Sequence, residues 1–199
     1  MTIGAAEFGT GGYYELVIDL GRPDARVDEA VEALWRHPDL EAADGLAAND
    51  DDGAAPAARG PAWRHGVARL PNGASVPCRS FAEVIADRKG ETAYVVFAIP
   101  MSTLERAFGQ GRSGPPHPSP ASLDRTRREE IDTWLAAFGA AVDTQVPFKA
   151  AYIGFLPFPI GEDEMAEVLF ERDVPEERCL AYLYRRDGAL RYFPANLWS

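Results

Sequence analysis

The chain has 199 residues, of which 46 % are hydrophobic, 11 % aromatic and 26 % charged, a composition that suits one generous globular domain and excludes a disordered chain. Its formal charge of −11 repels phosphate, so no nucleic acid is expected as a partner. No apolar run approaches the roughly 20 residues of a membrane span, and the first residues lack the basic and apolar regions of a signal peptide; the expectation is a cytoplasmic protein with no membrane partner.

Residues 1–11 read as a flexible N-terminal tail, and 12–199 as a single α+β domain. Tyr14, Leu16, Ile18 and Leu20 alternate with Tyr13, Glu15, Val17 and Asp19, the period of a strand that Gly21 ends. Asp24 is placed to cap a helix with the stripe Val27, Val31, Leu34 and Trp35, and Pro38 stops it. Residues 40–61 are rich in Ala, Asp, Gly and Pro and predict a mobile loop. Asn72-Gly73 marks a two-residue hairpin turn, and Pro71 and Pro77 place that hairpin at a sheet edge. Ser80 to Arg88 predicts a short helix burying Phe81, Val84 and Ile85.

Thr92 to Ile99 is nearly all apolar and predicts a central strand buried on both faces. Pro100 closes it, and Ser102 is placed to cap a short helix through Leu104 and Phe108. Residues 109–121 predict a second mobile loop. Ser122 to Thr144 forms the longest helix, with Ile131, Trp134, Leu135, Phe138 and Val142 on one face. Ala151 to Leu156 is a second central strand in which Gly154 marks a bulge or close approach. Glu162 to Arg172 predicts an acidic helix, and Asp187-Gly188 a hairpin between two closing strands. The hairpins make the sheet largely antiparallel, about six or seven strands with helices packed mainly on one face.

Six acids and no base lie between Pro38 and Ala58, and eight acids with one Arg between Glu162 and Glu177. These two stretches hold −13, which leaves about +2 for the rest of the chain. Such concentrated charge suits a basic protein partner, a cation or solubility alone.

Other motifs point to less. Gly109 to Gly114 spells G-x-G-x-x-G, but it follows a helical stretch and runs into Pro115-Pro116, where no helix can open to receive a pyrophosphate. Asn49 to Gly53 resembles the start of a calcium loop, yet the alignment puts Ala48 first and Arg59 twelfth, where carboxylates are required. His37, His65 and His117 show no ligand spacing, and no metal or cofactor is expected. Cys78 with His65 or His117 is a conceivable thiolate pair, but Cys78 lies between Pro77 and Arg79 with no helix opening after it, and a structural thiol is expected. Cys78 and Cys179 read as reduced thiols. Glu15 and Asp19 share a strand face at roughly 13 Å, too far apart for a glycosidase pair at ~5–10 Å. Tyr182, Tyr184, Tyr192, Phe193 and Trp198 alternate with arginines, as expected of a hairpin packed by aromatic pairs across its strands.

With only Lys89 and Lys149 among 20 basic residues and abundant alanine, the composition is that of a GC-rich bacterial gene. In size, acidity and mixed character the chain resembles bacterial immunity proteins, although no diagnostic residue carries that resemblance. The function expected is a non-enzymatic acidic domain that docks a basic protein, as an inhibitor or immunity-type protein would. Asp50, Asp51, Asp52, Glu162, Asp163 and Glu164 are its candidate contact residues. The alternative is a small-molecule-binding protein or enzyme with a pocket over the two central strands, near Pro100, Gly154 and the loop from Gly109. The catalytic residues, if any, and the oligomeric state are not legible.

Overall fold

The alternation that opens the sequence folds as β1, Tyr13–Gly21, and everything else is arranged around it. The computed structural model describes residues 12–22, 26–43, 63–87, 90–109, 123–156 and 174–197. They form α1 (Val27–Trp35), β2 (Leu40–Ala42), β3 (Arg64–Arg69), β4 (Ser75–Asp87), β5 (Gly90–Pro100), α2 (Met101–Ala107), α3 (Arg125–Asp143), β6 (Ala150–Leu156), β7 (Ala181–Arg186) and β8 (Ala189–Phe193). The eight strands make one sheet in the order β2-β3-β4-β5-β1-β6-β7-β8, and every pairing is antiparallel. The architecture is α+β, with a sheet slightly larger than the six or seven strands expected.

The apolar runs Thr92 to Ile99 and Ala151 to Leu156 are central because they flank β1 on its two sides. On one face of the sheet, Tyr14, Leu16, Ile18, Val95, Phe97, Ile99, Ala151 and Ile153 meet all three helices in a single core. Helix α3 contributes Ile131, Leu135, Phe138 and Val142, each fully buried and each worth roughly 1.5–3 kcal/mol of apolar burial. Asp124 caps this helix by accepting the Arg127 N–H at 3.0 Å, which satisfies one of the unpaired donors of its first turn.

Five expectations are corrected. Ser80 to Arg88 is not helical: β4 runs on to Asp87 and pairs with β5 from Arg79↔Ala98 to Asp87↔Gly90. Phe81, Val84 and Ile85 fit a helical stripe, yet Val84 is 51 % exposed in the strand. The apolar strand β5 needs a hydrogen-bonded neighbour on each side, and that tertiary demand decides. The loop expected from residue 40 begins with a short strand, β2, which pairs with β3 and becomes the sheet edge in place of the β3–β4 hairpin. Pro77 loses no ladder bond, because it faces β3 at Val67 before β4 begins to pair with β5 at Arg79. The hairpin turn at Asn72-Gly73 is a three-residue loop with Gly73 at φ +81°, closed by Leu70 N–H to Ala74 C=O at 2.8 Å. Ser102 lies inside α2, whose start is tied instead by the Thr103 hydroxyl donating to Pro100 C=O at 2.7 Å.

The closing hairpin is as read, with Asp187 at φ +53° and Gly188 at φ +80° in the turn. The expected tail over 1–11, the bulk of the two mobile loops and the acidic helix from Glu162 lie outside the described residues.

Candidate functional site

Among the described residues the helices cover only one face of the sheet. The other face carries Tyr13, Glu15, Val17 and Asp19 from β1, because successive side chains of a strand point to opposite sides. The strand registers assemble these residues into rows. One row reads His65, Arg79, Ala98, Glu15 and Gly154 across β3, β4, β5, β1 and β6. The next reads Phe81, Val96, Val17, Tyr152, Tyr182 and Phe193. A third reads Glu83, Tyr94, Asp19, Ala150, Tyr184 and Arg191. The middle row is the apolar floor of a second, smaller core, in which Tyr152 and Tyr182 meet edge to face at 5.5 Å between centroids.

Glu15 is the unusual member. Its side chain is 2 % exposed, and its Oε2 has no hydrogen-bond partner among the described residues. Burial pushes its carboxyl up to about 8, with the Arg79 guanidinium pulling the other way. The sheet offers it little else, since its neighbours in register are Ala98 and Gly154, the two smallest side chains available. Gly154 has φ +152°, and a Cβ there would sit 2.6 Å from Leu180 Cδ2, so this glycine is the close approach expected at that position.

Arg79 is held by aromatic rings. Its guanidinium lies 4.1 Å from the Tyr13 ring centre and 4.0 Å from that of Trp63, and Trp63 in turn packs on Phe81 at 4.3 Å. Stacking of this kind fixes a flat cation on an apolar floor. Asp19 and Glu83, on either side of Tyr94, also have carboxyls raised by burial; for Asp19 the Gly21 N–H and Lys149 act in opposition. Three carboxyls disfavoured as anions thus share this face.

The chemistry on the helical face is different. Tyr14 donates to Asp132 Oδ1 at 2.6 Å, and burial pushes Asp132 up to about 7, opposed by that hydrogen bond and by Arg128. Arg128 and Asp132 sit one turn apart on α3 and are both buried. This network lies between helix and sheet, where it locks α3 to β1.

A surface cleft of about 560 Å³ lies at the end of the central strands, lined by Asp19, Gly21, Thr92, Phe148, Lys149 and Arg185 among others. It is at the opposite end from Pro100, so the pocket mouth expected there does not coincide with it. Arg185 is committed to Asp143 and to the carbonyls of Phe148 and Gly188.

Of the sequence-predicted contact residues, Asp50, Asp51, Asp52, Glu162, Asp163 and Glu164 all lie outside the described residues, as do His117 and nearly all of Gly109 to Gly114. Cys78 and His65 do not meet: Cys78 is buried in the helical core, whereas His65 shares the opposite face with Arg79. Burial pushes the Cys78 thiol far up, which disfavours a thiolate. His37 rests on Phe138 at 4.1 Å between centroids, its basicity lowered by burial against the pull of Asp39. No three His, Cys, Asp or Glu side chains converge as metal ligands among the described residues, and no described helix is long and apolar enough to cross a membrane.

Sequence reading considered Glu15 only as half of an acid pair with Asp19, and it passed over Arg79, Tyr13 and Trp63. The signal for Glu15 was present: an acid in the alternation of a strand that long apolar strands must flank. Comparison with protein-family models, with curated proteins and with solved structures returned no match, so the reading of this face rests on its own geometry.

Proposed function

We propose that this chain is a non-enzymatic binding protein that docks a basic protein partner, as an inhibitor or immunity-type protein does. The observation that carries this reading is the lodging of −13 in two short stretches of a chain whose remainder is close to neutral. The carboxyls of Glu15, Asp19 and Glu83 on the sheet face that no described helix covers support it, because a cation approaching that face favours their ionised forms over the protonated forms that burial favours. Complementary charge of this kind speeds association and selects partners more than it adds affinity. In this reading the protein works in the cytosol with Cys78 and Cys179 as thiols.

The test is capture on the immobilised chain from native lysate at low salt, followed by a salt step and purification of what elutes. A basic protein that rebinds one-to-one when pure, and that loses its activity in the complex, fits the reading. A captured protein that is acidic, or binding that salt leaves untouched, goes against it. The second reading, a small-molecule site, is favoured by the cleft beside Asp19 and Lys149. A thermal shift from a small-molecule library that Lys149→Ala abolishes would move the assignment there.

A further inference from the structure

A buried carboxyl oxygen without a partner is rare in folded proteins, because it forfeits its water and gains nothing in return. Glu15 Oε2 is in that position at the centre of the sheet. It is not a packing remnant at a frayed edge: β1 is paired on both sides from Tyr13 to Asp19. Ala98 and Gly154 put no bulk against the carboxyl on either side, and among the described residues the atom nearest to a Cβ at Gly154 is Leu180 Cδ2, the end of a flexible side chain. The row beside it holds Phe81, Tyr152 and Tyr182, and the row beyond that holds Asp19 and Glu83 on either side of Tyr94. Carboxyls among aromatic faces are the surroundings that receive a guanidinium or ammonium group, and Arg79 between Tyr13 and Trp63 demonstrates the fit for a guanidinium within this very face.

We propose that Glu15 is the anchor for a basic side chain of the protein partner, whose cationic group reaches Oε2 over Gly154 as Leu180 turns aside. This deepens the docking reading above and rests on it. The acidic stretches would draw the partner in, and the buried carboxyl would hold it, since a charge-assisted hydrogen bond away from water is the strong kind.

The arrangement has a signature that surface charge lacks. The groups facing Glu15 are Tyr13 from its own strand, Arg79 from β4 and, one strand further, His65 from β3; β5 and β6 present only Ala98 and Gly154. With its carboxyl titrating at about 8, Glu15 is mostly protonated at neutral pH, and a cation that docks on it must expel the proton. Binding through Glu15 therefore releases close to one proton where Glu15 is protonated in the free protein, and affinity rises by up to about tenfold per pH unit below about pH 8. Binding to exposed Asp and Glu, already ionised, releases none.

The experiment is calorimetric titration of the full chain with an N-acetylated, amidated hexa-arginine peptide at pH 7, in two buffers of different ionisation enthalpy. Wild type is expected to release close to one proton per peptide. Glu15→Gln is expected to bind at least tenfold more weakly and release none, whereas a variant with Asp50, Asp51 and Asp52 changed to lysine keeps the release. Equal binding by wild type and Glu15→Gln without proton release overturns the role of Glu15 and leaves the docking reading standing. No binding by any form overturns both. If Glu15→Gln does not fold, the wild-type proton count alone decides.

Discussion

Removing the ionisable carboxyl of Glu15 should stabilise the protein in alkali and hardly at all in acid, the reverse of what is expected for an acidic residue that gains a partner on folding. In the unfolded chain its carboxyl titrates near 4.5, and in the folded chain at about 8. Below 4.5 both states hold the proton and the residue contributes no pH dependence. Between 4.5 and 8 the unfolded state ionises while the folded state does not, so stability falls by about 1.4 kcal/mol per pH unit. Above 8 the loss is complete, at about 5 kcal/mol. Glu15→Gln has no such titration, so it should match wild type within about 1 kcal/mol at pH 5 and exceed it by about 3–5 kcal/mol at pH 9, less whatever the buried amide itself costs. Asp132 shifts in the same direction but is present in both proteins and cancels from the difference. Urea unfolding at pH 5, 7 and 9 measures it directly. A stability difference that is the same at all three values would mean that Glu15 is charged in the folded protein, and the reasoning from its burial would fail.

Tyr14→Phe removes the hydrogen bond to Asp132; it should cost about 1 kcal/mol at pH 5, where Asp132 is protonated, and about 2 kcal/mol at pH 9, where the bond is charge-assisted, as read by the same unfolding curves. Gly154→Ala forces an alanine to φ +152° with its Cβ 2.6 Å from Leu180 Cδ2, a loss of about 2–3 kcal/mol, of which Leu180→Ala in the same chain should recover the contact part but not the backbone part. Cys179 is exposed and Cys78 is buried, so an aromatic disulfide reagent should titrate one thiol in the native protein and the second only on unfolding.

The sequence made the frame legible because its signals were local. The alternation of β1, the stripe of α3 and the Asp187-Gly188 turn each depend on residues close together in the chain, and each was read at nearly its observed place. Ser80 to Asp87 reads as a helix because its apolar residues follow the helical spacing, and it is a strand because β5, a partner across the β4–β5 turn, overrides that local pattern. The short strand β2 could not be read at all, since three residues acquire strand character only from β3. The candidate site was hidden for the same reason. Tyr13, Glu15, Trp63, Arg79 and Gly154 are scattered over 142 positions, and only the strand order places them on one face. No spacing rule joins them, whereas the acidic stretches announce themselves by composition and say nothing of geometry.

The most direct test of the docking account is the association rate of the purified partner with wild type and with the Asp50, Asp51, Asp52 lysine variant, measured across ionic strength. The account predicts a wild-type rate that falls by about tenfold or more from roughly 20 mM to roughly 300 mM salt, and a variant that starts slow and changes little. Equal rates for the two proteins, flat against salt, would contradict it.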